Sequence, residues 1–83
     1  MKTYNYLVNE KYSHISFAVI TANSNDSIKE KVSIAVQSVF MYDSVTSEII
    51  SDRSGTILIE CSCIIDDEIV STKEVELSLV NIF

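Results

Sequence analysis

Valine and isoleucine supply twenty-one of the 83 residues, whereas leucine supplies four and alanine three. With five threonines, nearly a third of the chain branches at Cβ. Such side chains are stiff at the first torsion and suit a pleated surface better than a helix. There is no proline and one glycine, Gly55, so no strand suffers a forced break. The chain is therefore expected to be sheet-rich. At this length it is one domain, residues 1–83, with a single modest core.

Alternation places the strands. Tyr4 to Val8 reads as a short first strand, and Glu10-Lys11-Tyr12-Ser13 as a polar break. His14 to Ala22 alternates, with Ile15, Phe17 and Val19 expected toward the core and His14, Ser16 and Ala18 away from it. Val45–Ser51, Thr56–Ile65 and Ile69–Val80 are three further strands. Asp52-Arg53-Ser54-Gly55 and Asp66-Asp67-Glu68 are the turns between them. Asn81-Ile82-Phe83 is a continuation of the last strand or a tail.

One segment has a different period. Asn23-Ser24-Asn25-Asp26-Ser27 is a cluster of helix-capping residues, and Ser27-Ile28-Lys29-Glu30 fits a capping box. Ile28, Val32, Ala35, Val36 and Val39 then recur at helical spacing, with Phe40 at the stripe's edge. The helix should end near Met41 or Tyr42. The fold class is α+β, in the order β-β-α-β-β-β. One antiparallel sheet is expected to carry the helix across one face. The helix should meet Ile15, Phe17, Val19, Ile57, Ile59, Cys61, Val75 and Leu77.

Charge narrows the function. Twelve acidic residues against six basic ones leave a net charge of -6, which excludes the basic footprint of ordinary nucleic-acid binding. The hydrophobic content of 47% excludes disorder. The polar start lacks a signal-peptide pattern, and no stretch nears the roughly 20 apolar residues of a membrane span, so a cytoplasmic setting is expected.

The residues for chemistry are sparse. His14 is the one histidine. Alternation puts it on the side opposite the cysteines, which argues against its pairing with Cys61 or Cys63 as a nucleophile's base. The serines lie in no nucleophile elbow, and one glycine cannot build a phosphate loop. Cys61 and Cys63, one residue apart on a strand, are too close for an unstrained disulfide and read as buried thiols. No metal-ligand spacing occurs. The chain is expected to be no enzyme and to need no cofactor or metal.

Surfaces carry more. Glu48, Glu60, Glu74 and Glu76 come from three consecutive strands and should share the sheet face away from the helix. Ile20, Leu58, Ile64 and Val80 are expected on that same face. A mixed acidic and apolar face suits a basic partner. Asp66 and Asp67 form a second acidic group. Ile34 and Met41 lie off the helical stripe on nearly one bearing, as a possible dimer or secondary contact. Tyr4, Tyr6 and Tyr12 gather near the first hairpin.

Three segments bear a likeness to a known group. They are Met1-Lys2-Thr3-Tyr4, the run Phe17-Ala18-Val19-Ile20-Thr21-Ala22-Asn23-Ser24 into the helix, and Gly55-Thr56-Ile57-Leu58-Ile59. In element order and acidity the chain resembles small phage-encoded anti-CRISPR proteins that inhibit type I surveillance complexes. The resemblance implies a stoichiometric inhibitor in the host bacterial cytoplasm. It would occupy a basic nucleic-acid-binding site of the effector and block target DNA, without binding nucleic acid or membrane itself. The alternative is a homo-oligomeric small-ligand-binding or structural phage or bacterial protein.

Overall fold

A computed structural model describes residues 3–13, 15–53 and 55–80. The order is β1 (Tyr4–Glu10), β2 (Ser16–Ala22), α1 (Asn25–Phe40), β3 (Ser44–Arg53), β4 (Thr56–Ile65) and β5 (Glu68–Val80). The expected β-β-α-β-β-β order stands, with β1 and β3 longer than alternation alone suggested. His14, and the tail Asn81-Ile82-Phe83, lie outside the described residues.

All pairings are antiparallel, and the sheet order is β2-β1-β5-β4-β3. The hairpin β1–β2 and the meander β3–β4–β5 join where β5 pairs with β1. Because β2 and β3 form opposite edges, α1 carries the chain across the whole sheet. It packs on β2, β3 and β4. The core is the layer between them: Ile28, Val32 and Val36 of α1 over Val8, Ile20, Ile57, Ile59, Cys61, Val75 and Leu77. Burying this apolar layer drives folding, since the β-branched helix is weak on its own.

The first hairpin departs from simple alternation. Val8 pairs with Ala18, but Asn9 pairs with Ser16, so Phe17 is an extra residue in β2. A bulge of this kind breaks the two-residue period. Phe17 swings onto the helix side, where its ring meets Phe40 edge-on at 5.3 Å. Beyond the bulge, Ala18, Ile20 and Ala22 face the core. Ile20 is 7% exposed rather than on the outer face, and Val19 is 64% exposed rather than inward. Ile15 is likewise exposed.

The ends of α1 show which polar residues cap it. Ser24 is the N-cap, and its Oγ accepts the Ser27 N–H at 3.2 Å. The capping box expected at Ser27–Glu30 is therefore not formed, because the helix begins three residues earlier. At the other end Met41 takes a left-handed conformation (φ 61°), and its N–H donates to the Gln37 carbonyl. Met41 has left the helical wheel, so it shares no helix face with Ile34. Val39, expected in the core stripe, is exposed.

Two turns use left-handed residues. Gly55 has φ +81°, as expected of a glycine placed there. Between β4 and β5, Asp66 and Asp67 have φ 52° and 63°, the pattern of a two-residue type I′ hairpin. The Asp66 N–H also donates to Asp43 Oδ2 at 2.9 Å, tying this turn to the end of the helix connection. Glycine tolerates the second position without strain. Asp67→Gly is expected to stabilise the protein by about 0.5–1 kcal/mol, read as a raised urea midpoint.

Candidate docking face

The side chains on the uncovered face follow from the buried ones. Ile59, Cys61, Val75 and Leu77 point at the helix, so Glu60, Glu74 and Glu76 point away. The register then aligns the carboxylates. Glu48 lies directly opposite Glu60, and Glu60 directly opposite Glu74. They form a row across three adjacent strands about 4.8 Å apart. Glu76 stands two residues further along β5, between Leu58 of β4 and Asn9 of β1.

One member of the row is already engaged. Lys11 Nζ lies 2.9 Å from Glu74 Oε2, and the Tyr12 hydroxyl donates to the same oxygen at 3.0 Å. These bonds hold the Glu74 carboxyl below its usual pKa, and the Glu74 partner raises that of Lys11. A lowered carboxyl pKa contributes stability above its ordinary value of 4.5. That contribution is lost as pH falls through the lowered folded value. Among the described residues Glu48, Glu60 and Glu76 take part in no ion pair. Like charges directly opposite one another on a sheet are unfavourable. The row therefore presents unneutralised carboxylates at a cost to the fold.

The apolar members are partly those expected. Leu58, Ile64 and Val80 are half-buried on this face, with Leu58 beside Glu76. Ile50, which sequence reading passed over, is exposed at a register shift in β3. The adjacent pair Ile49-Ile50 was its local signal, since two successive apolar residues break alternation. Lys11 and Tyr12 had no such signal, because their meeting with Glu74 spans more than sixty residues of sequence. Asp66 and Asp67 sit in the β4–β5 turn, six residues along from Glu60, roughly 20 Å at strand rise. The structure does not bring this second group into the glutamate row.

The helix side holds less chemistry. Cys61 and Cys63 are fully buried free thiols. Burial pushes both thiols above their usual pKa, against weaker opposing hydrogen bonds from Ser47 and Tyr42. A raised pKa keeps them protonated and unreactive. Cys61 instead ends a polar chain, 3.6 Å from Ser47 Oγ, which lies 2.6 Å from Ser33 Oγ on α1. A disulfide reagent such as Ellman's is expected to label both thiols at least about 100-fold more slowly in the native protein than in the unfolded one. Among the described residues no group of three or more His, Cys, Asp or Glu could hold a metal ion.

A cavity of about 250 Å³ opens near the start of α1, lined by Tyr4, Tyr6, Ile28, Asp52, Ile57 and Leu79. It falls below the roughly 300–1,000 Å³ of common small-molecule sites. Burial, and then the nearby Asp52 carboxylate, raise the Tyr6 hydroxyl pKa. Among the described residues no helix is long and apolar enough to cross a membrane. Comparison with known protein families, curated proteins and solved structures finds no match.

Proposed function

We propose that this chain is a non-catalytic binding protein that docks the outer face of β3–β5 on a basic protein surface. The observation that carries the reading is the aligned row Glu48–Glu60–Glu74, with Glu76 beside it, on the sheet face opposite the one that α1 covers. Mutually opposed carboxylates cost the free protein stability, and a Lys- or Arg-lined partner relieves that cost. A patch of one sign also speeds encounter with the opposite sign. Since Lys11 and Tyr12 already hold Glu74, the contact charges are chiefly Glu48, Glu60 and Glu76.

The partner class is a protein whose Lys/Arg groove ordinarily binds nucleic acid, where carboxylates stand in for phosphates. The likeness in element order and acidity points to a type I CRISPR surveillance complex, with the chain acting as a phage-type inhibitor in the host bacterial cytoplasm. The test titrates the protein into a purified type I surveillance complex and measures binding of target double-stranded DNA. Stoichiometric loss of DNA binding is expected. Unaltered DNA binding at large excess would remove the CRISPR assignment.

A further inference from the structure

The cavity near the start of α1 combines aromatic rings with a single carboxylate. Tyr4 and Tyr6 alternate along β1, so they share the helix side with buried Val8. Both rings line the cavity, with centroids 6.4 Å apart and planes tilted by 55°. Ile28, Ile57 and Leu79 supply its aliphatic lining. Asp52 is the one charged side chain among the described lining residues.

Asp52 reaches this side because of a bulge. Ile49 lies opposite buried Ile59, so simple alternation would turn Ser51 toward the helix and Asp52 away from it. The extra residue Ile50 reverses this. Ser51 lies opposite Leu58, and Asp52 opposite buried Ile57. Bulges are common beside sites where a side chain has to be re-aimed. The ion pairs among the described residues are Lys11–Glu74 and Lys29–Asp26, so neither engages Asp52. The field of Asp52 extends to Tyr6, where it is the largest cause of the raised hydroxyl pKa after burial.

This lining selects a cation of a particular kind. A carboxylate attracts positive charge, and so does an aromatic face within about 6 Å of its centroid. With centroids 6.4 Å apart, one cation can lie within that range of both rings. A primary ammonium carries three N–H donors, and each one buried without an acceptor is costly. A quaternary ammonium carries none, and its methyl groups gain from contact with Ile28, Ile57 and Leu79. A volume of about 250 Å³, small for a common ligand site, suits a compact head group. The dipole of α1 opposes a cation at its N-terminus, and Asp26 in the first turn offsets it.

We propose that this cavity binds a quaternary ammonium group, with Asp52 as its counter-ion and the Tyr4 and Tyr6 rings as its aromatic walls. The site lies on the helix side of the sheet, away from the glutamate row. Its occupancy is therefore independent of docking through the outer face.

Titration of the isolated full chain with choline, followed by amide NMR shifts, tests this without any protein partner. About 0.15 M NaCl screens diffuse attraction to a chain of net charge -6. Saturable binding is expected with a dissociation constant of about 0.1–1 mM, and with the largest shifts at Tyr4, Tyr6 and Asp52. Dimethylbutanol, the uncharged carbon isostere of choline, should bind at least about tenfold more weakly. Asp52→Asn and Tyr4→Leu, both at exposed positions, should each weaken choline at least about fivefold with unchanged thermal unfolding. Glu60→Gln on the opposite face should leave it unchanged. Trimethyllysine carries the same head group, and the tighter of the two probes shows whether a small molecule or a protein side chain supplies it. Saturation by neither probe would overturn the proposal. So would equal binding of dimethylbutanol, or choline binding undiminished by Asp52→Asn.

Discussion

Leu77→Ala is expected to cost about 2–5 kcal/mol, the range for removing a fully buried leucine side chain. Leu77 is 0% exposed, and it lies at the sheet's centre between Val8 of β1 and Ile57 of β4. No neighbour can collapse easily into the gap, because strands pair on both sides. Domains have about 0.05–0.15 kcal/mol of stability per residue, roughly 4–12 kcal/mol for 83 residues, so the loss would take from about a sixth of the total to all of it. Leu79 provides the control within the same strand. It shares the helix side but is 43% exposed, at the mouth of the cavity near the start of α1. Leu79→Ala should cost about 1 kcal/mol or less. Urea unfolding of the two variants reads the difference directly, and equal losses would mean that the core is not centred on β5.

The second large effect lies on the other face. Reversing Glu48, Glu60 and Glu76 together to lysine should weaken partner binding by about 100-fold or more. Three charged contacts of roughly 1–1.5 kcal/mol each carry that much. The fold should survive, since none of the three side chains is in the core. Glu60→Lys also sets a cation opposite Glu74, in place of a like charge. Glu74 should behave differently from its neighbours. Its carboxylate is already held by Lys11 and Tyr12, so Glu74→Gln should cost less binding than Glu60→Gln. Circular dichroism and affinity measured on the same samples separate loss of binding from loss of structure. Equal sensitivity at Glu74 and Glu60 would contradict a role for the Lys11 contact.

Much of this arrangement was legible in the sequence because it rests on period. The run Ile57, Ile59, Cys61, Cys63 is uninterrupted in alternation, and β4 has the limits read from it. The helix stripe was legible for the same reason at Ile28, Val32 and Val36. The outward placement of Glu60 and Glu76 followed, since each sits between buried neighbours, and that of Glu74 from its alternation with buried Val75. What alternation could not supply was any departure from it. One extra residue at Phe17 exchanged the faces of Val19 and Ile20, and nothing local distinguishes that bulge from a regular strand. The cap shows a similar limit. Five candidate residues, Asn23 to Ser27, lie together around the start of α1, and which one caps depends on where packing starts the helix. The cross-strand alignment of Glu48, Glu60 and Glu74 is a property of register. Register here is set by two hairpins whose turns and bulges act together.

The most direct measurement of the docking face is carboxyl footprinting. The chain, alone and bound to a purified type I surveillance complex, is labelled with a carbodiimide and an amine, and each carboxylate is read by mass spectrometry. Docking through the outer face of β3–β5 should protect Glu48, Glu60 and Glu76, while Asp26 and Glu30 on the helix label as in the free protein. Unchanged labelling at the three glutamates, with protection of Asp26 and Glu30 instead, would contradict it.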